Sequence, residues 1–272
     1  MHALPPRVLV LAASLAIAGP AAAGTFFSTD VTDLWWNPNE SGWGVNVVQQ
    51  GNIVFATFFV YDSANKAHWY VASNLTAAQA TASSITFQGA LFETTGPFFG
   101  GPFNPGSVVT NTVGTATLQF TLPSAGTLTY TVNGTSVTKQ IVRQTWATND
   151  ATGTYEGSRT IVTSTGSSGA ACAPATLAFG SVQVAQSAAS FSMNGTLGNN
   201  ACRFSGNYSQ DGHFGASTGT FTCASGLSGT YRLTELETSP FGFLARYNGT
   251  ERGCTLDGRI GGTRTTILPV SP

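Results

Sequence analysis

The chain has 272 residues, with 11 Lys plus Arg against 12 Asp plus Glu, and only 8% of its residues carry charge. No basic face is available to neutralise phosphates, which excludes a nucleic-acid binder. The 42% hydrophobic and 11% aromatic content excludes a disordered chain. Solubility must rest on Ser, Thr, Asn, Gln and Gly, a pattern that suits a secreted β-rich protein.

Residues 1–23 read as a signal peptide. Arg7 supplies the positive start, Val8 to Ala18 the apolar run, and Ala21-Ala22-Ala23 the small residues before a cut at Gly24. Eleven apolar residues are too few to cross roughly 30 Å of hydrocarbon, so the mature form is expected to have no membrane span. Cleavage leaves 10 basic and 12 acidic residues and a secreted or periplasmic protein.

Beyond the leader, helical spacing is absent and β-branched and aromatic runs recur between Gly, Asn and Pro. Strands are predicted at 45–49, 53–61, 68–73, 84–92, 115–122, 127–132 and 136–146. Asn133-Gly134 reads as a type I′ hairpin turn, because these residues take positive φ cheaply. Gly96 to Gly106 forms a Gly/Pro loop carrying Phe98, Phe99 and Phe103. The composition shifts after Trp146, and strands then recur at about the 8–12 residue spacing of a sandwich or barrel. Asn194-Gly195, Asp211-Gly212, Asn248-Gly249 and Asp257-Gly258 are the turn candidates there. The expectation is all-β: two antiparallel meander barrels or sandwiches in tandem, at residues 24–148 and 149–272.

All four cysteines, Cys172, Cys202, Cys223 and Cys254, lie in the second half. An even count in an exported chain favours two bridges, and sequence neighbours suggest Cys172–Cys202 with Cys223–Cys254. Zinc is disfavoured, because there is no Cys-x-x-Cys and only His68 and His213 are available in the mature chain. There is no phosphate loop, dinucleotide fingerprint or calcium loop, so no cofactor is expected.

The densest chemistry is Leu34-Trp35-Trp36-Asn37-Pro38-Asn39-Glu40-Ser41-Gly42-Trp43-Gly44. Indoles offer flat apolar faces, and amides and a carboxylate grip hydroxyls, a mixture suited to carbohydrate or a small amphipathic ligand. Trp35, Trp36, Asn37, Glu40, Trp43, His68 and Trp69 are the candidate ligand-binding residues. The Phe98–Phe103 loop would extend the same aromatic surface. Against this, large aromatics are mostly core, and one or two of the indoles could plug a barrel end. Glu40 and Glu93 could form a glycosidase-type carboxylate pair, and Ser41, Asp62 and His68 can be assembled into a triad only without a nucleophile elbow. His213 reads as a hairpin-tip residue, Glu235 and Glu237 as one solvated strand face near Arg232, and Asp257 as a turn.

With the following strand, the Tyr-Asp turn and His68-Trp69-Tyr70, the opening motif resembles a largely uncharacterised module of exported bacterial β-rich proteins carrying Trp-Trp-Asn-Pro-x-Glu-Ser-Gly-Trp-Gly. The resemblance spans about residues 34–146; it implies export and a β fold, and it brings no mechanism. The second half is similar to avidin-like or lipocalin-like barrels in strand rhythm alone. The functional expectation is therefore a secreted non-enzymatic binding module. The alternatives are a carboxylate-based extracellular hydrolase and a structural or protein-interaction role at the envelope.

Overall fold

The computed structural model describes residues 30–81, 83–121, 123–166, 172 and 176–265; the predicted leader lies outside them. The first eight strands are β1 (Asp33–Trp36), β2 (Gly44–Gln50), β3 (Ile53–Tyr61), β4 (Ala67–Ala80), β5 (Ser84–Thr95), β6 (Val109–Thr121), β7 (Ala125–Val132) and β8 (Thr135–Arg143). The second set comprises β9 (Gly153–Gly166), β10 (Thr176–Gln186), β11 (Ser190–Leu197), β12 (Asn200–Asp211), β13 (Phe214–Cys223), β14 (Ser228–Ser239), β15 (Gly242–Glu251) and β16 (Cys254–Arg264). Each set is an antiparallel meander whose last strand pairs with its first, giving two closed barrels in tandem. Closure removes the exposed edges that an open meander would leave. No described helix is long and apolar enough to cross a membrane.

Strand β3 occupies the predicted range, and Asn133 and Gly134 take φ of 49° and 85° at the predicted hairpin. Three of the four turn candidates in the second half are not turns. Gly195, Gly249 and Gly258 lie inside strands β11, β15 and β16. A Cβ on Gly258 would stand 1.9 Å from the Thr160 carbonyl oxygen, and one on Gly195 would stand 2.3 Å from that of Ser181. These glycines mark close strand approach, the other reason a strand contains Gly. Asp257 therefore sits in a strand, where it accepts a hydrogen bond from Asn248 Nδ2 at 2.7 Å. Glu235 is not on a solvated face either. A bulge gives it φ 53°, and its largely buried carboxylate lies 3.0 Å from Arg259.

The disulfides are Cys172–Cys254 and Cys202–Cys223, which corrects the predicted connectivity. Cys202 and Cys223 face each other directly across the β12–β13 ladder. Cys254 pairs with Gly166 at the end of β9, so barrel closure brings it to the segment that carries Cys172. Sheet adjacency decided the pairing, and nearness in sequence did not.

The base of each barrel carries the same device. In the first, Trp35 is 1% exposed, its Nε1 donates to the Val31 carbonyl at 2.9 Å, and the Arg143 guanidinium lies 4.8 Å from its ring centroid. In the second, the Tyr155 hydroxyl donates to the Ala151 carbonyl at 2.8 Å, and Arg264 lies 4.9 Å from its ring. Each arginine also donates to the backbone ahead of the first strand, Arg143 to the Asp30 and Thr32 carbonyls and Arg264 to that of Thr152. Gln49 and Gln186 occupy matching places, accepting from the Val31 and Ala151 amides at 3.0 and 2.9 Å. The motif Asp-x-Thr-x-x-Trp/Tyr, at Asp30 and again at Asp150, is the sequence trace of this repeat.

The barrels meet at Asp33. Its Oδ2 accepts from Arg143 at 3.0 Å and from the His213 backbone amide at 3.0 Å, and lies 2.7 Å from His213 Nδ1. His213 is thus at a hairpin tip, as its sequence suggested, and it also bridges the barrels. Burial alone would raise the Asp33 pKa, but the hydrogen bonds from His213 and Arg143 together outweigh it and hold the carboxyl below its usual value. A depressed acid pKa stabilises the folded state above the unfolded value, near about 4, and that contribution is lost as pH falls through the folded value. Urea midpoints measured between pH 5 and 2 should therefore fall more steeply for the native chain than for Asp33→Asn. Parallel pH profiles for the two would show that Asp33 contributes nothing to this dependence.

Candidate functional site at the rim of the first barrel

Opposite the Trp35–Arg143 base, the inner wall of the first barrel ends in a rim of polar and aromatic side chains. The strand β1 is short and meets β8 at only Trp35↔Arg143 and Trp36↔Val142. Above those pairs the wall is completed by the turn between β1 and β2. Asn37 builds that turn: its Oδ1 accepts from the Asn39 amide at 2.9 Å and its carbonyl accepts from the Glu40 amide at 3.0 Å. The turn delivers Glu40 to Lys139 of β8, with Oε2 2.7 Å from Nζ, and Trp43 Nε1 donates to the same carboxylate oxygen at 3.0 Å. Lys139 also lies 6.0 Å from the Trp43 ring centroid. The hydrogen bond from Lys139 holds Glu40 below the usual carboxylate range against the opposing effect of desolvation, and that from Trp43 adds to the lowering.

The rest of the rim comes from β3, β4, β5 and β7. Trp43, Tyr70 and Tyr130 pack onto the barrel core while remaining partly exposed. Phe58, in the core below them, meets Tyr130 edge-on at 5.6 Å. His68 lies 4.6 Å ring to ring from Tyr70, and its Nε2 is 3.0 Å from Glu93 Oε1. Burial pushes both tyrosine hydroxyls up, and at Tyr70 the nearby Glu93 carboxylate adds to the shift. The two carboxylates of the rim are therefore each matched to a basic group, and the uncharged tyrosines and one indole separate the two pairs.

The predicted residues divide into four groups. Glu40, Trp43 and His68 are brought together at the rim. Trp36 and Trp69 face outward. Trp36 lines a cleft of about 250 Å³ with Leu34, Trp43, Phe59 and Gln144, and Trp69, 48% exposed, stands directly across the β3–β4 ladder from the equally open Phe59. The Trp35 ring faces inward at the base, buried under Arg143, while the residue also borders the Trp36 cleft. Asn37 is a turn former. The triad of Ser41, Asp62 and His68 is not assembled, because the Asp62 carboxylate closes its own turn by accepting from the Ala64 and Lys66 amides and His68 is engaged by Glu93.

Sequence reasoning missed Tyr70, Tyr130 and Lys139. Their signal was alternation: Lys139 shares a strand face with buried Ile141 and Arg143, a place where Lys is out of pattern and marks either a wall defect or a site. A larger depression of about 600 Å³ lies on the outer wall of the second barrel between Phe179 and Leu244. Its floor is Gly157, Gly180 and Gly261, so it arises where missing side chains leave the wall thin. Among the described residues no group of three or more His, Cys, Asp or Glu is placed to hold a metal ion.

No family model and no curated protein matches the chain. Among solved structures, the chain is similar to a protein of Bacteroides fragilis whose assignment as an outer membrane protein is itself provisional. That match has 11% identity and a TM-score of 0.28, over 78% of this chain and 89% of the other. A likeness of that size carries no argument about function.

Proposed function

We propose that the protein is an exported, non-enzymatic binding module whose first barrel takes a small amphipathic ligand, with saccharides the favoured class, at the rim. The observation that carries this reading is the rim itself, where Trp43, Tyr70 and Tyr130 offer ring faces between the Glu40–Lys139 ion pair and the His68–Glu93 pair. Sugars present apolar C–H faces and a ring of hydroxyls, so they match aromatic faces together with hydrogen-bond donors and acceptors. The outward Trp36 cleft and the Phe59–Trp69 pair extend the aromatic surface along the same wall. Two disulfides support an oxidising compartment, in keeping with the predicted leader. The hydrolase alternative would need one carboxyl protonated as general acid, and Lys139 holds Glu40 in the opposite state.

The test is a glycan array followed by calorimetric titration of the best hit against Trp43→Ala, Tyr130→Phe and Trp35→Phe. Trp43→Ala should abolish detectable binding while the barrel stays folded. Tyr130→Phe should weaken binding about 5–10-fold, the usual value of one hydrogen bond. Trp35→Phe should leave affinity unchanged while lowering the melting temperature. If affinity follows melting temperature across all three variants, the motif is a structural plug and the binding reading fails.

A further inference from the structure

Strands β5 and β6 run past the rim of the first barrel. The β4–β5 ladder ends at Val71↔Phe92, whereas β5 and β6 stay paired to Thr95↔Val109. Beyond Phe92 the two strands therefore pair only with each other, and they carry the loop 96–108 on an arm of about 10 Å at about 3.3 Å per residue. The tip is apolar and open to solvent: Phe98 is 75% exposed, Phe99 88% and Phe103 60%, with Val108 and Val109 at 41% and 50% behind them. The Phe98 and Phe99 rings touch at 5.2 Å and act as one surface.

Two further observations identify what such a tip fits. No Asp, Glu, Lys or Arg occurs from residue 94 to residue 138, so the tip carries no charge that would have to be desolvated. The polar residues flanking the rings, Thr94, Thr95, Asn104, Ser107, Thr110 and Asn111, are themselves uncharged, so the arm offers an aromatic tip above neutral hydroxyl and amide groups. Part of the loop backbone is paired within the loop. Gly101 donates to the Phe98 carbonyl at 3.3 Å, and Ser107 and Val108 donate to those of Asn104 and Pro105 at 3.0 and 3.2 Å. The Asn104 side chain takes up the Gly106 amide at 3.0 Å, and Pro97, Pro102 and Pro105 have no N–H to lose. The amides of Phe98, Phe99, Gly100, Phe103 and Asn104 have no partner within the loop, so the tip suits the hydrated headgroup layer and not the hydrocarbon interior.

We propose that the β5–β6 arm is a membrane-interfacial anchor, inserting Phe98, Phe99 and Phe103 into the headgroup–acyl boundary of a phospholipid bilayer. The proposal is independent of the saccharide reading of the rim. Because the arm has no cation, attachment relies on apolar burial and is indifferent to anionic lipid and to salt.

Flotation of the full chain with phosphatidylcholine vesicles tests this, alongside vesicles doped with phosphatidylglycerol and a high-salt repeat. The native chain should float with all three equally, and the variant F98S/F99S/F103S should partition about 100-fold more weakly or less while melting at the native temperature. Failure of the native chain to float, or equal flotation of the triple variant, overturns the proposal. Flotation that requires phosphatidylglycerol and vanishes in salt overturns it as well, since arginines elsewhere would then carry the attachment. A native dimer that becomes monomeric in the triple variant, without vesicle binding, would assign the tip to a second copy of this chain.

Discussion

Replacing Arg143 by Met should destabilise the first barrel by about 3–5 kcal/mol, because it removes a buried cation from several partners that water cannot reach. The Arg143 side chain has no solvent exposure, and it donates to the Asp30, Thr32 and Pro123 carbonyls as well as to Asp33. Methionine refills part of the volume over Trp35 but leaves those carbonyls without donors and Asp33 without one of its compensating hydrogen bonds. For a barrel of this size the melting temperature should fall by roughly 10–20 °C. The matching change at Arg264 should do the same to the second barrel and leave the first in place. The contrast is Lys139→Met at the rim, whose ion pair with Glu40 is about one-third exposed on each side, so that its loss should shift the melting temperature little. Calorimetric scans of the three variants settle this. Equal shifts for Arg143→Met and Lys139→Met would mean that the base is not the keystone of the barrel.

Reduction of the disulfides should be the second large effect, confined to the second barrel. Both bridges lie at the end of that barrel remote from Arg264, one closing a separation of 82 residues and the other of 21. Chain-entropy arguments put their contributions at about 4.5 and about 3.3 kcal/mol. A total near 8 kcal/mol is comparable with the whole stability of a typical domain. Reduced protein should therefore show the first barrel melting near its native temperature and the second unfolded or nearly so at 37 °C. Single Cys→Ser pairs separate the two contributions, with Cys172/Cys254 expected to cost more than Cys202/Cys223. The opposite order would show that strain or residual unfolded structure dominates over loop length.

These expectations bear on how much of the molecule could be read before it was folded. Period-two alternation and the Asn133-Gly134 turn sufficed for the strand-rich character, and the composition break after Trp146 suggested the tandem plan. Glycine misled the reading of the second half. Gly195, Gly249 and Gly258 were read as turns because one strand in isolation cannot show that a neighbouring carbonyl passes within 2–3 Å of the missing Cβ. The cysteine pairing failed for a related reason: connectivity follows the order of strands around a closed barrel, and that order is a non-local property.

The candidate site divides along the same line. The sequence by itself determined the all-β class, the tandem plan and the aromatic motif that holds Glu40 and Trp43, because these follow from local composition and spacing. Only the tertiary structure decided that Trp35 points inward to the base while Trp43 rises to the rim, and that Glu40 closes the wall against Lys139 nearly a hundred residues away. It also joined His68 to Glu93 and set Tyr70 and Tyr130 beside them. The physical reason is that a side chain's strand face fixes only whether it points in or out. Which end of the barrel it occupies, and which partner it meets there, depends on register and closure among strands far apart in sequence.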